Sequence, residues 1–229
     1  MEKLLDALIV KKDGKYAYDW EAIEKIEEFA VLKDCKQSPK YHGEGTAWEH
    51  TKMVCKAALR RLSNWDMDGT EWAKTMLTAA LFHDIGKGTT TTFKKENWHA
   101  YNHELESEVI TRRLLADEDE KFRETVCALV RWHMEPLRIY EHRDVLEHIV
   151  LLSRAVNIAM LCFLKRCDLD GSIAEDKQMQ EIDYLKVAEL QSIASRLGCY
   201  IGPSTIPMKG EYKWLAEKNV LEEKRKNKQ

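Results

Sequence analysis

Glycine and proline are scarce in this chain, with 10 and 4 positions among 229. A many-stranded sheet needs frequent turn residues, so such sparse punctuation predicts mostly helix. Long apolar runs are missing too. No stretch reaches the roughly 18 apolar residues of a membrane span, and the opening residues 1–6 (MEKLLD) lack the apolar core of a signal peptide. The six cysteines (35, 55, 127, 162, 167 and 199) include no C-x-x-C pair and no zinc-finger spacing. The expectation is a cytoplasmic protein, neither secreted nor membrane-spanning, whose cysteines are small core fillers rather than a disulfide scaffold. A dominant charge sign is absent as well, since 36 Lys and Arg against 39 Asp and Glu leave −3. No DNA-binding motif stands out, so any polyanionic partner must be met by a local patch.

What is present is enough hydrophobic sequence, 44%, for a sizeable core, at a length that fits one domain. A short amphipathic helix is expected after Asp19, with Trp20, Ile23, Ile26 and Ala30 on one side. Residues 33–45 read as a loop. Thr46 and Glu49 form a capping box that starts a helix with His50, Val54, Ala57 or Ala58, and Arg61 facing inward. The next helix runs from about Thr70 to Phe82 and ends at Gly86 and Gly88, before an exposed loop through Thr89–Lys95. Asn102 is expected to cap a helix that buries Leu105, Val109 and Arg113. Phe122, Val126, Leu129, Val130 and His133 make a further stripe that Pro136 stops. One long buried helix over about 144–168 and another over about 178–197 complete the bundle. The segment beyond Gly198 reads as an irregular strap, closing in an amphipathic helix from Trp214 with a Lys-rich tip. No internal repeat appears, and the fold class predicted is all-α, a single compact helical bundle.

Five features fall in a suggestive order: His50, the doublet His83-Asp84, His103, His133 and Asp168, each at or near the end of a predicted helix. Imidazole nitrogen and carboxylate oxygen suit divalent transition metals, and a bundle core is able to gather such ligands. A lone histidine on an apolar stripe also serves as a hydrogen-bonded core residue. Asp168 lies in a helix otherwise rich in Leu, Met, Phe and Cys, where an unpaired carboxylate would cost several kcal/mol. It needs a cation, and Arg154 or Arg166 is the alternative to a metal.

His50, His83-Asp84 and Asp168 resemble the metal-binding signature of the HD-domain phosphohydrolase superfamily. The run HGEGTAWEHT over 42–51 is similar to the entry of the HD domain in bacterial tRNA nucleotidyltransferases. FHDIGKGTT over 82–90, followed by His103, is similar to that group and to HD domains fused to RNA-end-healing polynucleotide kinases. The resemblance covers about Tyr41 to Gly171. It implies an HD-type bundle over 41–200, with 1–40 as a helical extension packed on the core and 201–229 as the strap. Residues upstream of Tyr41 are too few for a nucleotidyltransferase head. Gly86-Lys87-Gly88 is not a phosphate loop, because Leu81 and Gly88 stand where Gly and Ser or Thr are required. A freestanding HD hydrolase is the expectation.

The same resemblance implies one or two divalent ions (Mn, Ni, Fe or Zn, with Mg possible). His50, His83, Asp84 and Asp168 would surround the first, and His103 and His133 would hold the second, with Asp84 bridging. His99 is an alternative to His103. Such a centre lowers the pKa of a bound water towards neutrality to give the attacking hydroxide. Asp84 and Lys87 are the catalytic candidates, with Lys87 and Arg131 as phosphate contacts and Glu44 and Thr51 flanking the ligands. The implied substrate is a nucleotide or RNA-end phosphoester, such as a 2′,3′-cyclic phosphate or 2′-phosphate. Trp98, Tyr101 and Trp132 are available to stack a base. Hydrolysis of free nucleotides, or metal and nucleotide binding without turnover, are the alternatives.

Overall fold

A computed structural model describes residues 3–67 and 69–200. The strap and terminal helix expected beyond 200 lie outside the described residues. Local chemistry accounts for most helix starts. Thr46, Thr70, Asp119, Asp144, Asn157 and Asp176 each accept a hydrogen bond from a backbone N–H in the first turn of the helix that follows.

The first forty residues are not the purely helical extension that was expected. Helix α1 (Leu4–Leu8) is followed by an antiparallel hairpin of β1 (Ile9–Lys12) and β2 (Lys15–Tyr18). Asp13 and Gly14 at its turn have φ of 49° and 79°, the left-handed pair that a two-residue type I′ turn requires. The amphipathic helix expected after Asp19 is broken into α2 (Trp20–Ile23) and α3 (Glu27–Ala30), because Ile26 between them is extended. Leu5, Leu8, Ile23, Phe29 and Leu32 are nonetheless buried in the main core.

Helices α4 (Ala47–Ser63) and α5 (Glu71–Phe82) pack together and against a later helix. The exposed loop expected over 89–95 is instead the end of α6 (Lys87–Thr90) and a second hairpin, β3 (Thr91–Lys94) paired with β4 (Asn97–Ala100). Its turn residues Lys95 and Glu96 have φ of 50° and 60°, so the hairpin forms without the Asn-Gly signal that advertises such turns. Helix α7 (His103–Leu114) begins as expected, but its faces are reversed. Leu105 and Val109 are exposed, whereas His103, Glu104, Ser107, Ile110 and Thr111 are buried. The buried stripe is mostly polar and is tied to its neighbours: Gly86 N–H donates to Ser107 Oγ (2.9 Å) and Arg138 to Glu104 Oε1 (3.0 Å).

Helix α8 (Glu120–Trp132) leads into α9 (Glu135–Arg138), where Pro136 opens a helix as well as ending one. The single long helix expected over 144–168 is two, α10 (Val145–Ala155) and α11 (Ile158–Asp170), crossing at 96°. Val156 is extended and Asn157 caps α11, which apolar periodicity alone conceals. Helix α12 (Lys177–Arg196) closes the described chain. Helix α11 belongs to two clusters. Leu161, Phe163, Leu164 and Cys167 join the main core, while Ile158, Cys162 and Leu169 join a smaller one with α10 and α12. Each large apolar side chain buried there is worth roughly 1.5–3 kcal/mol. Among the described residues no single helix is long and apolar enough to cross a membrane.

Candidate metal centre

Five helices bring their ends to one point. His50 lies in the first turn of α4, while His83 and Asp84 follow the last turn of α5. His103 opens α7, His133 caps α8, and Asp168 sits in the final turn of α11. Two glycines allow the convergence. A Cβ on Gly86 would lie 2.5 Å from His103 O and Ser107 N, and one on Gly171 would lie 2.6 Å from Val54 N. Only bare backbone lets α7 approach Asp84, and lets the end of α11 approach α4.

The imidazoles share an orientation. His83 Nδ1 lies 2.9 Å from Ala80 O, His103 Nδ1 2.8 Å from Ala100 O, and His133 Nδ1 2.7 Å from Val130 O. A carbonyl can only accept, so each Nδ1 carries the hydrogen and the neutral ring turns its Nε2 lone pair inward. His50 Nδ1 is held by Glu44 Oε1 at 2.8 Å, and Glu44 in turn accepts from Ile173 N–H at 2.8 Å.

The Nε2 atoms meet in two groups. His50 Nε2 is 3.4 Å from His83 Nε2 and 3.1 Å from Asp168 Oδ1. His103 Nε2 is 3.3 Å from His133 Nε2. Asp84 joins the groups, with Oδ2 3.3 Å from His83 and Oδ1 3.2 Å and 3.6 Å from His103 and His133. Its Oδ1 is buried and receives no hydrogen bond. Lone pairs facing one another around an orphaned buried carboxylate oxygen are the arrangement a cation satisfies. Two sets, His50–His83–Asp168 and Asp84–His103–His133, have ligand atoms within 4.8 Å of one another. Nitrogen and oxygen donors of this kind fit Zn²⁺, Mn²⁺, Ni²⁺ or Fe.

The electrostatics are those of an anionic cage. Burial alone would raise Asp84, but His83 and Lys87 hold its carboxyl well below the usual range. Lys165 and His50 do the same for Asp168 against the same burial. Burial works to lower His50, yet the Asp168 and Glu44 carboxylates outweigh it and push the ring up to about 9. A place that grips a proton this firmly between carboxylates also grips a cation, which must displace that proton. His133 is driven well below its ordinary value by burial and by neighbouring His103.

Lys87 reaches the centre from α6, with Nζ 2.6 Å from Asp84 Oδ2 and 2.7 Å from Gln37 Oε1. Lys165 is a functional neighbour that sequence reasoning missed. Its Nζ lies 2.6 Å from Asp168 Oδ2, whereas Arg166 binds Gln191 and Arg154 is exposed. The signal was the i, i+3 spacing of Lys165 and Asp168 on one helix face.

A cavity of about 590 Å³ opens from the centre. Asp84, Lys87, His103, His133 and Asp168 form its floor, and Lys36, Lys40, Arg138 and Lys165 bring further positive charge. Tyr41, Trp98 and Tyr101 supply aromatic walls, and Asp176 and Asp183 stand at the side of α12. Several expectations fail here. Arg131 does not line the cavity but faces Glu108, with Nε 3.6 Å from its Oε2, and Trp132 lies under that guanidinium. Arg138 occupies the position expected of Arg131. Thr51 spends its hydroxyl on Ala47 O, 2.8 Å away in its own helix. His99 stacks on Tyr101 in the cavity wall, so His103 rather than His99 meets Asp84.

The HD domain family model matches residues 47–187, an interval holding all six converging side chains and Lys87. The chain is also similar to a protein named Multifunctional CCA protein from Thioalkalivibrio sulfidiphilus (strain HL-EbGR7). The two are 28% identical over 191 residues, covering 72% of this chain and 44% of the relative. The chain thus spans less than half the length of the curated relative it matches.

Proposed function

The chain belongs to the HD domain family, whose members are metal-dependent phosphohydrolases, and from that premise we propose that it hydrolyses nucleotide or RNA-end phosphoesters. The observation that supports this most is the gathering of four histidine Nε2 atoms around Asp84, whose Oδ1 lacks any donor. His50, His83, Asp84 and Asp168 would hold one divalent ion, and Asp84, His103 and His133 a second. When bound, the metal supplies Lewis acidity, lowering the pKa of water and offsetting charge on phosphoryl oxygens.

The protein's own groups do the rest. A carboxylate held as low as Asp84 is a weak base, so it orients ligands and balances charge rather than storing a proton. Lys87 Nζ, 2.6 Å from that carboxylate and on the cavity floor, neutralises developing negative charge on the phosphoryl group. Lys165 faces it from α11, and Arg138 and Lys40 receive further phosphates. Trp98 and Tyr41 offer flat apolar surface to a base. A cavity near 590 Å³ falls within the usual 300–1,000 Å³ of small-molecule sites, enough for a nucleotide or the end of a chain. The resemblance of residues 42–51 and 82–90 to RNA-linked HD domains favours an RNA end, and a 2′,3′-cyclic phosphate or 2′-phosphate is the proposed bond. Hydrolysis of free nucleotides is the second reading, favoured by a cavity volume that suffices for a whole nucleotide.

The test is a panel of 2′,3′-cyclic nucleotides, 2′-, 3′- and 5′-nucleotides, nucleoside polyphosphates and RNA ends, each with Mn²⁺, Ni²⁺, Fe²⁺, Zn²⁺ or Mg²⁺. Turnover of 2′,3′-cyclic or 2′-phosphates is expected. Protein that binds nucleotide yet turns over nothing with any metal is a binding module instead.

A further inference from the structure

We propose that Glu135, His142 and His148 form a separate transition-metal site on the outer side of the α9–α10 corner. Glu135 Oε1 lies 2.5 Å from His142 Nε2 and 2.8 Å from His148 Nε2, and the three ligand atoms fall within 4.8 Å of one another. Two imidazoles and a carboxylate are a donor set that zinc and nickel accept readily. The rings lie nearly parallel, with centroids 3.4 Å apart and planes at 10°.

His148 Nε2 is sealed from solvent and has no hydrogen-bond partner, although Glu135 Oε1 is only 2.8 Å away. The ring nitrogen is therefore aimed beside the carboxylate oxygen rather than at it, into the gap between the three groups. A tetrahedral ion with bonds near 2.0–2.1 Å sets its ligand atoms roughly 3.4 Å apart. The three atoms need to spread by less than an ångström to reach that spacing. His142, half-exposed on the bend between the 3₁₀ turn Ile139–Glu141 and α10, has the freedom to do so. An outer cleft of about 520 Å³, lined by His142 and His148 together with Arg143, Glu147 and Leu151, leaves a fourth position open to water.

This cluster is distinct from the central one, because none of its three residues lines the cavity over Asp84. It does touch the same backbone, since Glu135 follows His133 by two residues. An ion held here clamps the turn carrying His133 onto α10.

The experiment equilibrates full-length wild type and His142→Ala/His148→Ala with Zn²⁺, then counts bound metal by mass spectrometry after desalting. Co²⁺ absorbance supplies a second readout. The double variant is expected to bind one equivalent fewer per chain, with a chromogenic phosphodiester turned over within about twofold of wild type at saturating metal. His148→Gln, which keeps the side chain's bulk, is expected to show the same loss. An unchanged metal count overturns the proposal. So does loss of every bound ion, which would make the pair a support of the central cluster.

Discussion

Asp84 meets four histidines and a lysine through two oxygens, and each neighbour fails differently when removed. Lys87 touches no ring nitrogen, so Lys87→Ala is expected to lower kcat by about 10²–10³-fold, the usual cost of losing one charge-stabilising donor. Metal content should stay within error of wild type, and an equal fall in both would make Lys87 a structural group. Glu44 acts at one remove, through His50 Nδ1. Glu44→Gln is expected to weaken metal affinity by roughly 10–100-fold, the common effect of releasing a ligand's orienting partner. Isothermal titration with Zn²⁺ or Mn²⁺ reads it directly. Asp168 and Lys165 are a buried pair, 8% and 4% exposed. Asp168→Ala strands the ammonium and should cost about 3–5 kcal/mol in denaturant unfolding, besides abolishing metal binding and turnover. Lys165→Met in the same chain should recover most of that stability without recovering activity. If the double variant is no more stable than Asp168→Ala, the pairing contributes nothing to folding.

Helix contacts at the centre are set by backbone clearance. A methyl at Gly86 would press on backbone atoms of α7, whereas one at Gly88 would meet side chains alone, Leu32 at an ordinary 3.6 Å and Val31 at 2.5 Å, the latter exposed enough to turn aside. Gly86→Ala is therefore expected to destabilise by about 1–3 kcal/mol and to weaken metal binding as His103 shifts away from Asp84. Gly88→Ala should be nearly silent in both thermal melts and metal titration. Comparable effects from the two would mean that α7 yields easily. The helices themselves were legible to within a residue or two where a cap marked them, as at Thr46 and Thr70, whereas Asn102 precedes α7 in the left-handed region and makes no side-chain cap bond. Asn157 was equally visible as a residue, yet an apolar pattern running through it masked the 96° break. The hairpin at 91–100 escaped notice because Lys95 and Glu96 carry its left-handed turn in place of Asn and Gly.

Across the whole molecule, burial orders the thiols. It pushes Cys55 up to about 12 and Cys127 and Cys162 up to about 11, and it raises Cys35 and Cys167 too. A raised thiol stays protonated and unreactive as pH climbs through the ordinary thiol range. At pH 8 one group, the half-exposed Cys199, is expected to react promptly with a thiol reagent. The other five should follow only on unfolding. Rapid modification of two or more in the native state would show a core looser than the one described here.

The class of fold and the order of the ligands were readable from the chain, because caps, helical periodicity and the His-Asp doublet are properties of neighbouring residues. Which face of α7 turns inward was not, since its buried stripe is polar and is satisfied only by Arg138 and Gly86 from elsewhere. Nor was the choice of Lys165 over Arg166 beside Asp168, or of Arg138 over Arg131 beside the cavity. Charge pairing depends on distance through space, and a linear sequence carries no record of which cation the packing of helices leaves within 3 Å of an acid.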